Sequence, residues 1–488
     1  MKKLILFILI IISTITLSEF VYNSHVSPIP SEWINDSQSE IYKIKLNFSP
    51  WIAFGNCNSN FVSFRPLYPE DWWRIPTNPA ENVFYLFNEI PPLINISFEF
   101  SKNGFTLFSE VNIQKEPITR VKNFENNIIL NGFDFNSFSV DANFPEYFYI
   151  YYANQNSFIS IGRFPLKWGV SKYPITISDT TYQDNLTFST KINNFRYTYH
   201  LISSYPLLST EEQNIQSSFS DKHSTGVIYD EPYKSIIAHR FDFSFDKFHF
   251  GIGELNVVGG KFPDIIDLNP LMFFHNTYGE GFSNVLASVE FNYLINENIQ
   301  IYGEFSMDDF EVPITEGGSN YKPTAIGYNF GATVKFNDFT FWAEYDHTSE
   351  WMYITNYLPY LRINVRHFYL DNLTSPSRAL MDYPLGFTYG PDATMVSAGF
   401  NYNSDNLNVD FEYNLLFKGT VIDDGVQRWK WFWDSWYGNV TPDATYAVED
   451  STDLTYNIIS IDLNFKRIFL KFKTINFEDY LLGAYYKF

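Results

Sequence analysis

The feature that most constrains the fold is the recurrence of paired alternating segments joined by very short polar turns. In the clearest pair, Asp246-Lys247 joins Phe241–Phe245 to Phe248–Ile252, and apolar side chains occupy every second position on both sides. A period of two places these side chains on one face of a β-hairpin. A single hairpin of this kind also fits a soluble sheet, so the number of repetitions decides the class of fold.

Eight hairpins of this type can be identified along the chain. Their turns are Lys102-Asn103-Gly104, Asn154-Gln155-Asn156, Asn193-Asn194, Asp246-Lys247, Asn296-Glu297-Asn298, Asn337-Asp338, Ser404-Asp405 and Lys466-Arg467. With a first strand at Ile41–Phe48 and a last strand at Leu481–Phe488, the sixteen hairpin strands make about eighteen. Longer connections rich in Pro, Gly, Asn and aromatic residues fall at 55–91, 115–137, 204–234, 256–283, 307–324, 349–394 and 417–454.

Short turns at one end and long loops at the other are typical of outer-membrane barrels. The chain is therefore predicted to be an all-β protein, a transmembrane antiparallel β-barrel of about 18 strands with long extracellular loops and short periplasmic turns. An array of soluble β-sandwiches is the alternative, but its turns would not separate by length so regularly.

Both ends of the chain fit export to the bacterial outer membrane. Lys2 and Lys3 precede the apolar run Leu4–Ile12, which is too short to span a membrane, so residues 1–18 are predicted to be a removed signal peptide rather than a retained anchor. Residues 19–40 form a short periplasmic lead-in, and residues 41–488 form the barrel. The last strand ends on the aromatic Phe488, which resembles the signal that the barrel-assembly machinery recognises.

Composition supports a membrane location and argues against nucleic acid as a partner. Aromatic residues make up 20% of the chain although its mean hydropathy is −0.18, which fits strands with one face toward lipid and one toward a polar lumen. The formal charge of −22 argues against nucleic acid as a partner. A lone Cys57 excludes an intrachain disulfide, and nothing in the sequence indicates a cofactor or sets the oligomeric state.

Several short motifs follow one another in a recognisable order between about residues 160 and 395. They are Gly162-Arg163 with Trp168-Gly169, Ala238-His239-Arg240, Gly253-Glu254, Asn269-Pro270, Asn284-Val285-Leu286, Tyr302-Gly303-Glu304-Phe305 with Asp308-Asp309, and Tyr383-Pro384-Leu385-Gly386 with Gly390-Pro391-Asp392. In this order they resemble the Wzi capsule-assembly family of outer-membrane barrels. The chain departs from the family at Val170-Ser171, where the family usually turns through Pro-Gly. The resemblance implies a non-enzymatic surface protein that holds capsular polysaccharide or exopolysaccharide at the outer membrane.

A tryptophan-rich loop at 423–440 is the first candidate binding site. Its aromatic residues and a neighbouring cation are Arg428, Trp429, Trp431, Trp433, Trp436 and Tyr437. Flat aromatic faces stack on sugar rings, and charged neighbours form hydrogen bonds with hydroxyl and carboxylate groups. Two structural alternatives remain: the indoles belong to the interfacial girdle, or they pack the loop over the barrel mouth.

The inward positions of the strands form a second candidate group. They are Lys191, Arg196, His200, Glu290, Asn292, Gln300, Tyr302, Glu304, Glu344, Asp346, Asp410 and Glu412. These side chains either satisfy one another as a wall of paired charges or form a constriction that selects charged solutes. The second reading makes the chain a substrate-selective porin, which is the alternative to the polysaccharide binder. His239, Arg240 and Glu254 fit either arrangement.

Signals for catalysis or metal binding are weak. The chain has no Walker lysine loop, no His-Glu-x-x-His and no Gly-x-Ser-x-Gly. Asp308-Asp309 and Asp346-His347 lie near predicted rim positions, where outer-membrane proteases carry acids and a histidine, but this chain is far longer than those proteases. We therefore expect neither an enzyme nor a metal protein.

Overall fold

The computed structural model describes the greater part of the predicted barrel. It covers residues 41–56, 92–115, 129–131, 138–139, 147–154, 156–204, 231, 233–260, 262–263, 265, 268–271, 283–309, 325–353, 363–370, 378–423, 426–430 and 449–488. The predicted signal peptide and lead-in, residues 1–40, lie outside these ranges, so both stay predictions.

The described residues form β-strands and no long apolar helix. The strands are β1 (Ile41–Phe48), β2 (Trp51–Asn56), β3 (Ile94–Lys102), β4 (Phe105–Lys115), β5 (Ile129–Asn131), β6 (Phe138–Ser139), β7 (Tyr147–Ala153), β8 (Ser157–Pro165), β9 (Tyr182–Ile192), β10 (Phe195–Ser204), β11 (Lys234–Ser244), β12 (Phe248–Gly259), β13 (Ser283–Asn296), β14 (Ile299–Asp309), β15 (Ala325–Phe336), β16 (Phe339–Thr348), β17 (Asn364–Leu370), β18 (Arg378–Pro384), β19 (Ala393–Asn403), β20 (Leu407–Asp423), β21 (Val426–Trp429), β22 (Glu449–Phe465), β23 (Ile468–Ile475) and β24 (Asp479–Tyr486). None of the described segments is a helix with the length and apolarity needed to cross a membrane.

The strands close into a cylinder because β1 and β2 act as one interrupted strand. β1 pairs with β3, and β2 pairs with β24, so the first strand joins the two ends of the sheet. Antiparallel pairing continues between these seams through β4, β7 to β16, β19, β20, β22 and β23. With β1 and β2 taken together, eighteen of the described strands form the ring, which confirms the predicted architecture.

The short turns lie where the sequence predicted them. All eight predicted turns connect strands that pair with each other, and Asn103, Asn193, Asn337 and Lys466 have φ between 51° and 57°. Asparagine tolerates this left-handed conformation better than most residues, which explains its frequency in the turns. These turns define the short-turn end of the barrel, and the opposite end is the long-loop end.

The outer face of the cylinder is an apolar belt. Its exposed members include Ile44, Ile52, Phe98, Ile161, Ile252, Val289, Phe305, Phe330, Phe341, Val396 and Leu470. In strands such as β14 these residues alternate with buried side chains, and exposed Phe305 lies between buried Glu304 and Ser306. Water would penalise so continuous an apolar surface, whereas the acyl chains of a bilayer match it. The fold is therefore a transmembrane antiparallel barrel.

Several boundaries differ from the sequence prediction. β20 ends at Asp423 and β22 begins at Glu449, both inside the predicted loop 417–454, and β17 pairs with β18 inside the predicted loop 349–394. β24 begins at Asp479 and ends at Tyr486, two residues earlier than predicted at each end. Phe488 leaves the ladder, and its amide donates a hydrogen bond to the carbonyl of Phe48 at 3.0 Å. In addition, the connection from β8 to β9, residues 166–181, was not among the predicted long loops. This connection shapes the interior of the barrel.

Candidate functional site

The inner wall carries a row of buried carboxylates, on the face that strand alternation predicted. Glu290 on β13 lies opposite Glu304 on β14, and Glu344 and Asp346 follow on β16. These four side chains and Tyr302 are all at most 6% exposed. Buried carboxylates are costly unless they accept hydrogen bonds or pair with cations. The source of those partners therefore decides what the site does.

For two of the carboxylates the partners come from residues 166–181, which fold into the lumen and which we call the inner loop. Leu166, Trp168, Ile175 and Ile177 of this loop are at most 2% exposed. The amide of Trp168 donates to the carbonyl of Ile177 at 3.0 Å, which holds the two halves of the loop together. The inner loop is thus a packed element of the barrel interior.

Glu344 binds the first half of the inner loop. Its carboxylate accepts hydrogen bonds from the backbone amides of Lys172 and Tyr173, both at 2.9 Å, and from Ser171 Oγ at 2.6 Å. Tyr302 donates its phenol to the same carboxylate at 2.9 Å.

Glu304 binds the second half of the inner loop in the same manner. It accepts hydrogen bonds from the backbone amides of Ile175 at 2.8 Å and Thr176 at 2.9 Å, and also from the Thr176 hydroxyl. Hydrogen bonds to a charged acceptor contribute more than neutral ones, about 1.5–3 kcal/mol each. Two wall glutamates therefore act as paired clamps on the inner loop.

The inner loop crosses the whole lumen. Lys172 Nζ lies 3.4 Å from the carboxylate of Glu412 on β20, and the Asn414 amide donates to the phenol of Tyr173 at 2.8 Å. β20 is nine strands from β9 in both directions around the ring, so these contacts lie on the opposite wall. Burial raises the pKa of Tyr173 well above its usual value, which keeps the phenol protonated as a donor.

A second segment, residues 385–392, packs on the inner loop from the long-loop end. Ser178 donates its amide to the carbonyl of Leu385 at 2.7 Å. The Tyr353 hydroxyl donates to the carbonyl of Ile175 at 2.5 Å and accepts the amide of Phe387 at 3.0 Å. Burial raises the pKa of Tyr353 well above its usual value. One protonated phenol therefore joins both segments.

Arg240 forms a buried cationic centre beneath the inner loop. Its guanidinium lies 2.8 Å from Asp242 and 2.8 Å from Glu290, and 5.4 Å from the centroid of the Trp168 ring. His249 contacts the same Asp242 at 3.0 Å. This arrangement neutralises one cation with two carboxylates away from water, which matches the paired-charge reading of the lumen.

His239 and Glu254 do not face the lumen, which corrects the expectation that they accompany Arg240. His239 on β11 pairs with Glu254 on β12. Alternation places both on the same face as Phe241 and Ile252, which point toward lipid. His239 is nevertheless fully buried, because Tyr197 lies 2.9 Å from its Nδ1 and donates its hydroxyl to the carbonyl of Pro270. The side chain is therefore part of the outer wall and is covered by the segment around Pro270.

Trp429 is not available to a polymer in this structure, which corrects its assignment as a stacking residue. It is 1% exposed and packs edge-on against Tyr389 at 6.0 Å and Tyr456 at 5.5 Å. This is the alternative in which an indole packs the loop over the barrel mouth. The other candidates, Trp431, Trp433, Trp436 and Tyr437, lie outside the described residues, and Arg428 is described only as part of β21.

The remaining predicted positions are distributed over the barrel. Gly162 and Arg163 lie at the long-loop end of β8, and Gly169 lies against Glu290 in the lumen. Asn284 and Asp308 are buried near the long-loop end, whereas Asp309 is described only as the end of β14. Lys191 and Arg196 oppose each other near the short-turn end. Among the described residues, no group of three or more His, Cys, Asp or Glu side chains could hold a metal ion.

Sequence reasoning missed two parts of this interior. The first is the inner loop itself, whose signal was the recurrence of apolar residues (Leu166, Trp168, Val170, Ile175 and Ile177) in a connection that would otherwise face water. The second is Lys418, which lies six positions after Glu412 on β20 and therefore on the same inward face. Lys418 is fully buried and donates to the carbonyl of Lys430 at 2.6 Å, while Lys430 pairs with Glu350.

Comparison with known proteins gives weak likenesses to outer-membrane barrels. No family model and no curated protein sequence matches the chain. Among solved structures, Wzi of Escherichia coli, described as a carbohydrate-binding β-barrel involved in group 1 capsule assembly, is 13% identical with a TM-score of 0.47, covering 91% of this chain and 84% of that one. OprD of Pseudomonas aeruginosa is 8% identical with a TM-score of 0.41, covering 93% and 98%. OccK2 of the same organism, in complex with glucuronate, gives the same four values. These similarities do not assign the chain to either group.

Proposed function

We propose that the chain is a non-enzymatic protein of the bacterial outer membrane that binds capsular polysaccharide or exopolysaccharide at the cell surface. The observation that carries the proposal is the path of the inner loop, which reaches from β8 and β9 to Glu412 on the opposite wall. A diffusion channel needs that space as its path, whereas a surface binder does not. The ordered sequence motifs supply the class of ligand.

The charges of the lumen support the same choice. Glu304 and Glu344 would be the natural filter of a selective porin, but both accept backbone amides of the inner loop. Arg240 is likewise neutralised by Asp242 and Glu290. Groups already paired within the protein are poor ligands for a passing solute, because binding it would first break those contacts.

Polymer contact is assigned to the residues that follow Trp429. Trp429 and Lys430 are buried, and Lys430 pairs with Glu350, so the start of this loop is fixed at the barrel mouth. Trp431, Trp433 and Trp436 come directly after this anchor and supply stacking faces for sugar rings. A repetitive polymer would engage many such loops at once, and weak contacts would add to a useful avidity.

A conductance measurement separates the two candidate functions. The purified chain, inserted into a planar bilayer, is expected to give no steady current, because the inner loop occupies the lumen. A stable ohmic conductance would contradict the proposal and favour the substrate-selective porin.

A retention assay tests the polymer site. In cells carrying the triple variant Trp431→Ala, Trp433→Ala and Trp436→Ala, surface polysaccharide is expected to be released into the medium as in cells without the gene. Phe477→Ala is the control, because Phe477 is an aromatic residue 74% exposed at the same end of the barrel but outside this loop. Normal retention by the triple variant, with normal membrane insertion, would remove the assignment.

A further inference from the structure

A cleft of about 350 Å³ lies on the outer face of β7 to β10, outside the lumen. Its apolar floor is formed by Phe148, Ile161, Leu186 and Leu201. Ile161, Leu186 and Leu201 oppose one another across β8, β9 and β10, so they form one rung of the outer wall. The cleft is therefore continuous with the lipid-facing belt and separate from the groups used in the proposed function.

A polar rung lies two residues closer to the long-loop end. Arg163, Asp184 and Ser203 oppose one another in the same register and line the same cleft. Leu201 is six residues from Phe195 at the short turn, and Ser203 is two residues farther toward the long-loop end. The apolar rung thus lies on the apolar belt, and the polar rung lies on its long-loop side.

The polar rung offers donors and acceptors without a net charge. Arg163 donates Nε and Nη2 to the two oxygens of Asp184, both at 2.8 Å, and lies 5.3 Å from the Tyr182 ring centroid. The Asp184 side chain is 52% exposed, and Tyr233 borders the cleft. A neutral ion pair beside aromatic rings suits the hydroxyl groups of a sugar better than an isolated anion.

We infer that this cleft binds a glycolipid of the outer leaflet, with an acyl chain on the Ile161–Leu186–Leu201 rung and the sugar headgroup on the Arg163–Asp184–Ser203 rung. The inference needs the barrel to lie in a membrane that contains such lipids, but it does not need the chain to bind polysaccharide. It adds a lipid site on the outer wall to a polymer site at the mouth.

Native mass spectrometry of the detergent-solubilised chain tests this site with lipid A as the probe. Phosphatidylglycerol, which has acyl chains but no sugar, is the comparison lipid. Lipid A is expected to remain bound at concentrations where phosphatidylglycerol is lost. Leu201→Trp, which fills the floor of the cleft, is expected to lower lipid A retention at least about tenfold, the effect of losing about 1.4 kcal/mol. Val334→Trp, on the belt at β15, is the matched control and is expected to retain lipid A.

A second variant tests the headgroup contact without changing the net charge. Arg163→Gln combined with Asp184→Asn is expected to reduce lipid A retention while leaving the weak retention of phosphatidylglycerol unchanged. Folding of each variant is checked by its heat-dependent mobility in gels. Equal retention of lipid A by the wild type and by folded Leu201→Trp overturns the inference. Equal retention of the two lipids by the wild type also overturns it, because the cleft is then only part of the belt.

Discussion

The phenol of Tyr173 in the inner loop donates a hydrogen bond to the carboxylate of Glu412 on β20. β20 lies on the wall of the barrel opposite β9, the strand that follows the inner loop. Together with the clamps at Glu304 and Glu344, this contact holds the inner loop at three places on the wall. The contacts are hydrogen bonds from a loop to carboxylates on different strands. Closure of the lumen can therefore be weakened by changing a few polar groups while the apolar belt stays intact.

Removal of the two clamps should open the lumen. Glu304→Ala combined with Glu344→Ala deletes the acceptors of four backbone amides, each contact contributing about 1.5–3 kcal/mol. We expect the double variant to conduct in planar bilayers where the wild type does not. Asp410→Ala is the control, because this carboxylate faces the lumen but accepts its hydrogen bond from Asn401. A silent double variant would mean that other parts of the chain close the barrel.

Gly253 should tolerate no side chain, because Trp168 lies directly over it. A Cβ at this position would be 2.3 Å from Trp168 Cζ3 and 2.6 Å from Ser288 Oγ. Gly253→Ala is expected to destabilise the barrel by about 1–3 kcal/mol, the usual range for an overpacked site. Gly483→Ala is the control, since a Cβ there meets nothing within 4 Å. The midpoint of heat denaturation in detergent, followed by gel mobility, measures both, and equal midpoints would contradict the prediction.

Tyr353→Phe should loosen the contact between the inner loop and residues 385–392. The variant keeps the ring but leaves the buried carbonyl of Ile175 and the amide of Phe387 without this partner, at a cost of about 1–3 kcal/mol. We expect a lower midpoint of heat denaturation in detergent, followed by gel mobility. Tyr152→Phe, an exposed tyrosine on β7, should leave the midpoint unchanged. Identical midpoints for wild type and Tyr353→Phe would show that this phenol does not hold the loop.

Asp392 should make stability depend on pH. Burial raises the pKa of its carboxyl, against the opposing effect of Lys418 and Lys430. The folded protein therefore holds this proton more tightly than the unfolded chain, whose aspartates titrate near about 3.9. The protonated Asp392 carboxyl therefore contributes fully to stability below that pH. This contribution is lost as the pH rises through the pKa of Asp392 in the folded state. Asp392→Asn keeps the side-chain shape, so its denaturation midpoint should improve relative to wild type between pH 4 and pH 7. A constant difference over this range would contradict the prediction.

The sequence was sufficient for the barrel because its signals are local. The alternation of Phe241–Phe245 and Phe248–Ile252, and the Asp246-Lys247 turn between them, specify a hairpin without reference to distant residues. The same alternation placed Glu290, Glu304, Glu344 and Asp346 on the inner face, where the structure has them. The fixed period of a strand allows a side chain's direction to be read from its position.

The assignment of roles was less successful where a segment outside the strands covers the wall or the mouth. His239 and Glu254 obey the alternation and face outward, but the burial of His239 depends on Tyr197 and the Pro270 segment. Trp429 was expected to stack on sugar and instead packs against Tyr389 and Tyr456. In both cases the residues that bury the side chain are far away in the chain, and no local sequence pattern predicts these contacts.

By itself, the sequence determined the approximate number of strands in the ring, their turns and the two faces of the sheet, because each depends on neighbours one or two positions apart. Only the tertiary structure decided that the lumen is crossed by the inner loop. Tyr173 and Glu412 are 239 positions apart and meet only after the ring has closed. Closure of the barrel brings opposite walls within reach of one loop. Contacts between such distant residues leave no periodic pattern in the sequence, so they cannot be predicted from it.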